Sequence, residues 1–154
     1  MYKEIKRKDR ILDNASALAL LDNGEYGVLS TVDKKNQPYG IPVNYTVIDN
    51  TIFVHSALEG HKLDNIKSNS KVSFCVVGRT QLLPDQFSIS YKSVIVFGTA
   101  AIVDDQDKRQ ALIALVAKYS PEQMDSGGKY IDNLIDKVAV IKVSIDHITG
   151  KRRE

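Results

Sequence analysis

Apolar and polar positions alternate with period two in six stretches of this chain, and helical spacing replaces that alternation in three or four others. Residues 26–32 predict the first strand, and the polar run 33–37 predicts a turn. Pro38 opens a second strand over 38–47, in which Ile41, Val43, Tyr45 and Val47 alternate with Gly40, Pro42, Asn44 and Thr46. Asp49-Asn50 is a tight-turn signal, so 51–56 pairs back antiparallel onto its predecessor. A largely buried strand follows over 71–77, and 78–87, which contains Pro84, reads as a loop. The run 88–103 is long enough to curl around a barrel, with Gly98 marking a bulge or a close approach of another backbone or a ligand. A last strand covers 138–148.

Helix signals sit between these strands. Asp13 or Asn14 caps a helix through Leu21, with Ile11, Ala15, Leu18 and Leu21 on one face and Gly24 as its stop. A short helix over 60–67 turns Leu63 and Ile66 inward and Asp64 and Lys67 to water. Asp104 or Asp105 caps a third through Tyr119, carrying Ala111, Leu112, Leu115 and Val116 at helical spacing. Pro121 starts a further segment, which the Gly127-Gly128 pair is expected to interrupt. Six strands with few alternating helices exclude a doubly wound sheet. They predict a mainly β (α+β) antiparallel barrel with peripheral helices, a single domain over 1–154.

Composition narrows the classes. Apolar residues at 43% and charged residues at 26% are ordinary for a globular protein, and a net charge of +2 does not favour nucleic acid as partner. The basic residues at the two ends, Lys3 to Arg10 and Lys151 to Arg153, read as solvated termini. Cys75, the single cysteine, lies in an apolar run and is expected to be a buried packing residue. No stretch has the length of a membrane span and the first residues lack an apolar signal segment, so a cytoplasmic location without a membrane partner is expected.

Candidate chemistry concentrates between His55 and Ile66, where a strand gives way to a helix. Unpaired N–H groups and the positive dipole end at a helix start suit a phosphate, and Gly60-His61-Lys62 adds an imidazole and an ammonium there. Ser56 supplies a hydroxyl at the strand end. The competing reading is a solvated lysine at a helix start. His55 shares the parity of Thr51 and Phe53, which reads as a partly buried histidine bonded to a backbone group. The three histidines lack metal-site spacing, and neither a nucleophile elbow, a Walker loop nor a dinucleotide fingerprint is present.

Several motifs together resemble a known family. They are Tyr26-Gly27-Val28-Leu29-Ser30-Thr31, Pro38-Tyr39-Gly40-Ile41-Pro42-Val43-Asn44-Tyr45, the whole run from His55 to Ile66, Lys71-Val72-Ser73-Phe74, Ser93-Val94-Ile95-Val96-Phe97-Gly98, Lys118-Tyr119-Ser120-Pro121 and His147-Ile148-Thr149-Gly150-Lys151. In this order they are similar to the flavin-binding split barrels related to pyridoxamine 5'-phosphate oxidase, specifically the nitroimidazole-resistance branch. The resemblance implies a six-stranded split barrel that forms a homodimer with two FMN molecules in clefts at the subunit interface. By position, Ser56, His61 and Lys62 would hold the FMN phosphate. Ser30, Thr31, Val43, Asn44 and Tyr45 would border the ribityl chain and ring, partly through backbone groups, with Tyr91, Ser93 and Val94 contributed by the neighbouring subunit. The chain ends in ITGKRRE in place of the oxidase's substrate-gripping segment, which argues against vitamin B6 oxidation. The implied activity is an FMN-dependent oxidoreductase that reduces small nitroaromatic or other electron-poor substrates with a reduced nicotinamide as one donor. The alternative is a flavin- or haem-binding module for storage, sensing or partner control. The sequence assigns no catalytic residue, although His55 and His61 are candidate proton donors.

Overall fold

Alternation of inward valine, leucine and isoleucine with outward polar residues builds an antiparallel sheet, and its connections make it curl. The structure is a computed structural model describing residues 1–154, apart from the side chain of Asp105. Its strands are β1 (Ile11–Leu12), β2 (Gly27–Val32), β3 (Pro38–Val43), β4 (Thr46–Ile48), β5 (Thr51–Ala57), β6 (Lys71–Val77), β7 (Gln81–Leu83), β8 (Ser88–Ile102) and β9 (Val138–Arg153). The α-helices are α1 (Asn14–Asn23), α2 (His61–Ser68), α3 (Asp105–Tyr119) and α4 (Met124–Leu134). None is long and apolar enough to cross a membrane among the described residues.

The strand order is β3-β2-β6-β8-β9-β5-β4, with β1 beside β9 and β7 beside β8. Its two outermost strands, β3 and β4, are consecutive in the chain and separated only by Asn44 and Tyr45. Two residues span at most about 7 Å of extended chain, so the sheet must bend until its edges meet. The result is a curled half-barrel in an α+β fold, as the sequence predicts for a split barrel. Leu29, Phe74, Val76, Val94 and Val96 fill its interior, and Ala17 and Leu21 of α1 close one end. A second core lies outside the curl, where Ala111, Leu112 and Leu115 of α3 and Ile131 of α4 cover Val138 and Val140 of β9 and Phe53 of β5.

Local chemistry explains the element ends. The Asp13 carboxylate accepts the Ser16 N–H at 2.9 Å and caps α1. Asp49 and Asn50 both adopt positive φ, the signature of a two-residue type I′ hairpin between β4 and β5. At Gly98 the register shifts: Phe97 faces His147 and Gly98 faces Ile145, which leaves Asp146 of β9 as the bulged residue. Its carboxylate accepts the Thr99 hydroxyl at 2.8 Å. A Cβ at position 98 would lie 2.6 Å from the Ser144 carbonyl oxygen, so the expected close approach is of backbone to backbone.

Several expectations are corrected. The predicted strand 38–47 breaks at Asn44–Tyr45, because both Tyr45 and Thr46 turn inward and period two is lost. Ile11 belongs to β1 and is exposed, as is Ala15, so the inward face of α1 is Ala17 and Leu21. The segment 78–87 contains β7, a short strand paired with the start of β8. On β6 only Val72, Phe74 and Val76 are buried, and Cys75 is half-buried on the outer face rather than in the core. Gly127-Gly128 does not interrupt α4. Gly127 lets the helix approach Val116 of α3, whose Cγ1 would lie 2.7 Å from an added Cβ. Asp104 precedes α3 without a side-chain cap bond, and the alternative cap, the Asp105 side chain, lies outside the described residues.

These environments give one substitution opposite signs at two glycines. Gly98→Ala drives a methyl into the Ser144 carbonyl and is expected to cost about 1–3 kcal/mol. Gly128→Ala meets no atom within 4 Å inside a helix and is expected to stabilise by about 0.5–1 kcal/mol. Urea unfolding midpoints of the two variants check the pair.

Candidate functional site

The seam between β3 and β4 borders a cavity of about 900 Å³. Ile41, Pro42 and Val43 of β3 and the exposed Asn44 form one wall. His55 of β5 and Lys62 of α2 form another, and Glu25, Tyr26, Lys118 and Tyr119 complete the lining. A site of this size falls within the range of small-molecule and cofactor clefts. Two ammonium groups, Lys62 and Lys118, line it with the His55 imidazole, against Glu25 as the one carboxylate among the described residues, a balance that favours an anionic ligand.

The end of α3 pins the seam. Tyr45 is fully buried, and its hydroxyl donates to the Leu21 carbonyl at the end of α1. Burial, and then the neighbouring Tyr119 and Asp22, push its phenol pKa far up, so it stays a donor. The Tyr45 N–H donates to the Tyr119 hydroxyl at 3.1 Å, and the Tyr45 carbonyl accepts the Lys118 ammonium at 2.9 Å. Lys118 Nζ also sits 3.7 Å from the centroid of the Tyr45 ring, a cation–π contact. The Tyr119 hydroxyl lies 2.7 Å from the Glu25 carbonyl and 3.2 Å from that of Tyr45, either of which it can donate to. Burial lowers the Lys118 pKa, opposed in part by the charge of Asp22.

At α2 the backbone is left open to solvent. Gly60 is the N-cap, with φ 153° and no side chain to satisfy the first N–H groups, and nothing lies within 4 Å of where its Cβ would be. The Asp64 N–H bonds back to the Gly60 carbonyl, while the donors ahead of it point out of the helix start. Leu63 and Ile66 are buried, as expected, and so is Asn65, whose amide donates to the Thr31 hydroxyl at 3.0 Å and ties α2 to β2. Lys62 is half-buried at the cavity wall. The His61 ring stacks on Tyr39 with centroids 4.0 Å apart.

His55 departs from expectation. It is exposed at the cavity wall and makes no side-chain hydrogen bond among the described residues, so the predicted backbone partner is absent. Desolvation by the surrounding protein, and then the Lys62 charge, lower its pKa and favour the neutral imidazole.

Of the residues singled out from sequence, Val43, Asn44 and Lys62 come together at the cavity. Thr31, Tyr45 and Ser56 are buried, the last donating to the Ala57 carbonyl at 3.0 Å. Ser30 and Ser93 share the outer face of the sheet with Cys75 and Ile95, as does Tyr91 further along β8, whereas Val94 is fully buried. Lys118 and Tyr119 were not singled out as site residues. A lysine–tyrosine pair at a helix end reads as solvated surface, and only the Lys118-Tyr119-Ser120-Pro121 motif flagged the segment.

Comparison with known proteins agrees with this architecture. Among solved structures, a candidate 5-nitroimidazole antibiotic resistance protein from Bacteroides thetaiotaomicron is similar over 92% of this chain and 86% of its own, with a TM-score of 0.79 and 25% identity. A conserved hypothetical protein from Mycobacterium tuberculosis matches with a TM-score of 0.83 and 18% identity, over 97% of this chain and 90% of its own. An FAD- and haem-binding protein from Mycobacterium smegmatis shares the fold with a TM-score of 0.76 and 18% identity, over 92% and 72%. The comparison with curated proteins gives no match. The family model for pyridoxamine 5'-phosphate oxidase matches residues 13–152, which takes in every element from α1 to nearly the end of β9. The chain belongs to the pyridoxamine 5'-phosphate oxidase family.

Proposed function

We propose that the cavity at the seam holds FMN and that the protein is an FMN-dependent oxidoreductase acting on small electron-poor compounds, nitroaromatics among them. The observation that carries this reading is the uncapped start of α2 with Lys62 beside it at the wall of a basic cavity. A phosphate fits there: unpaired N–H groups, the positive end of the helix dipole and an ammonium are the donors it needs. Membership of the family and the likeness to the Bacteroides protein support the flavin and the nitro acceptor respectively.

Bound in the cleft, the flavin supplies two-electron redox chemistry between a donor such as a reduced nicotinamide and the acceptor. The chain's own residues hold and orient it. Lys62 and the start of α2 grip the tail, with His61 and Ser56 as the further phosphate candidates. Val43 and Asn44 offer side chains and backbone to the ring, Ser30 and Thr31 are the further candidates to border the ribityl chain, and Tyr45, whose N–H and carbonyl are taken by Tyr119 and Lys118, holds the seam in place. Lys118, fixed by the Tyr45 carbonyl, keeps a positive charge on the wall that favours the electron-rich state of a bound redox group.

The outer sheet face supports a homodimer. Val28, Cys75, Ile95 and Thr149 lie side by side across β2, β6, β8 and β9, flanked by Phe97 and by Val77, which is 55% exposed. Ser93 and, further along β8, Tyr91 share this face, as residues reaching a second subunit's cleft must. A second reading, a flavin- or haem-binding module without turnover, is favoured by one observation: His55 presents an unbonded imidazole, kept neutral, to the cavity, which suits an iron ligand.

The purified protein is expected to be yellow with flavin absorbance, and a haem Soret band without flavin would replace the first reading by the second. Lys62→Ala removes a charge-assisted contact of about 1.5–3 kcal/mol, so FMN affinity measured by fluorescence quenching should fall roughly ten- to a hundredfold. Ile95→Asp buries a charge in the proposed interface. Sedimentation should report a shift towards monomer, accompanied by weaker FMN binding.

A further inference from the structure

A second cavity adjoins the first. It is a slot of about 140 Å³ whose apolar lining comes from Leu112, Leu115 and Val116 of α3 and Ile131 and Leu134 of α4. It shares Asn44, His55 and Tyr119 with the larger cavity, so the two are compartments on either side of a common wall. The slot opens to solvent beside the exposed Ser120 and Tyr130, and an apolar space of roughly this volume takes up a benzene-sized ring. A tricyclic ring system is too large to fit whole in such a space, whereas a single ring is not.

We propose that the slot between α3 and α4 binds one uncharged, single aromatic ring, with a polar substituent turned back to His55 at the shared wall. The apolar lining disfavours charged ligands, because among the described residues it holds no carboxylate, ammonium or guanidinium, and its one imidazole, His55, favours the neutral form. A neutral imidazole both donates and accepts, so it suits a hydroxyl, carbonyl or similar group on the ring. The ring's seat stands on the slot alone. Its role as the acceptor compartment of the enzyme rests on the flavin reading above.

The test uses ¹⁹F NMR titration of 4-fluorophenol and fluorobenzene into the full-length protein, with and without FMN. Both probes should bind the wild type, 4-fluorophenol more tightly. Leu134→Phe, at a half-buried position, and Ser120→Phe, at an exposed one, fill the slot from two sides. Each should weaken 4-fluorophenol at least tenfold while FMN affinity stays within twofold. His55→Leu should remove the preference for 4-fluorophenol and leave fluorobenzene in place. The proposal is overturned if the wild type binds neither probe, or if Ser120→Phe, folded by circular dichroism, binds both as the wild type does. Ring binding by a protein that takes up no FMN would sink the flavin reading and leave the slot standing. FMN binding without ring binding would do the reverse.

Discussion

The peptide of Tyr45 is the constraint on which this structure depends. The chain passes there from β3 to β4, strands at opposite ends of the sheet order, within two residues. Such a connection exists only if the sheet curls until its edges meet, and it persists only if the backbone at the crossing has partners. A strand that leaves its ladder orphans an N–H and a carbonyl. Tyr119 and Lys118 take both, while the Tyr45 ring sinks into the barrel core and its hydroxyl reaches α1. One residue therefore joins the barrel interior, the end of α1 and the end of α3.

The cleft follows from that crossing. Where two sheet edges meet without pairing, the side chains on either side border open space, and here they are Val43 and Asn44 on one side and His55 on the other. The α3–α4 pair serves two purposes: it buries the outer side of β5 and β9 under a second apolar core, and it delivers Lys118 and Tyr119 to the seam. Stability and electrostatics are coupled at this point. The ammonium that biases the cavity towards anions is the same one that donates to the Tyr45 carbonyl at the crossing.

The six principal strands were legible because inward branched aliphatics alternate with outward residues over lengths no helix would give, and Gly98 was legible because a glycine inside such a run marks a close backbone. The break at Tyr45 was not, since Ile41, Val43, Tyr45 and Val47 keep unbroken period two. What partners the freed backbone there is a tyrosine 74 residues further along, and local pattern carries no trace of a partner at that distance. For the same reason Lys118 reads as surface. Gly127-Gly128 failed differently: glycine reports permissive backbone and close approach alike, and only the facing Val116 decides between them. At the candidate site the start of α2 was readable from its own residues, whereas the cavity shared by β3, β5, α2 and α3 exists only once the sheet has curled.

The pairing of β5 with β9 sets an order of assembly. Thr51 to Ala57 bond to Ser144 to Val138, so β5 meets its second neighbour only when the last strand arrives. During synthesis from the N-terminus, β5 waits with one edge bare while nearly the whole chain is made, and that edge carries His55. The cleft is therefore among the last features to form, and a chain stopped before residue 138 would expose an unpaired strand edge, the kind of surface that recruits other chains.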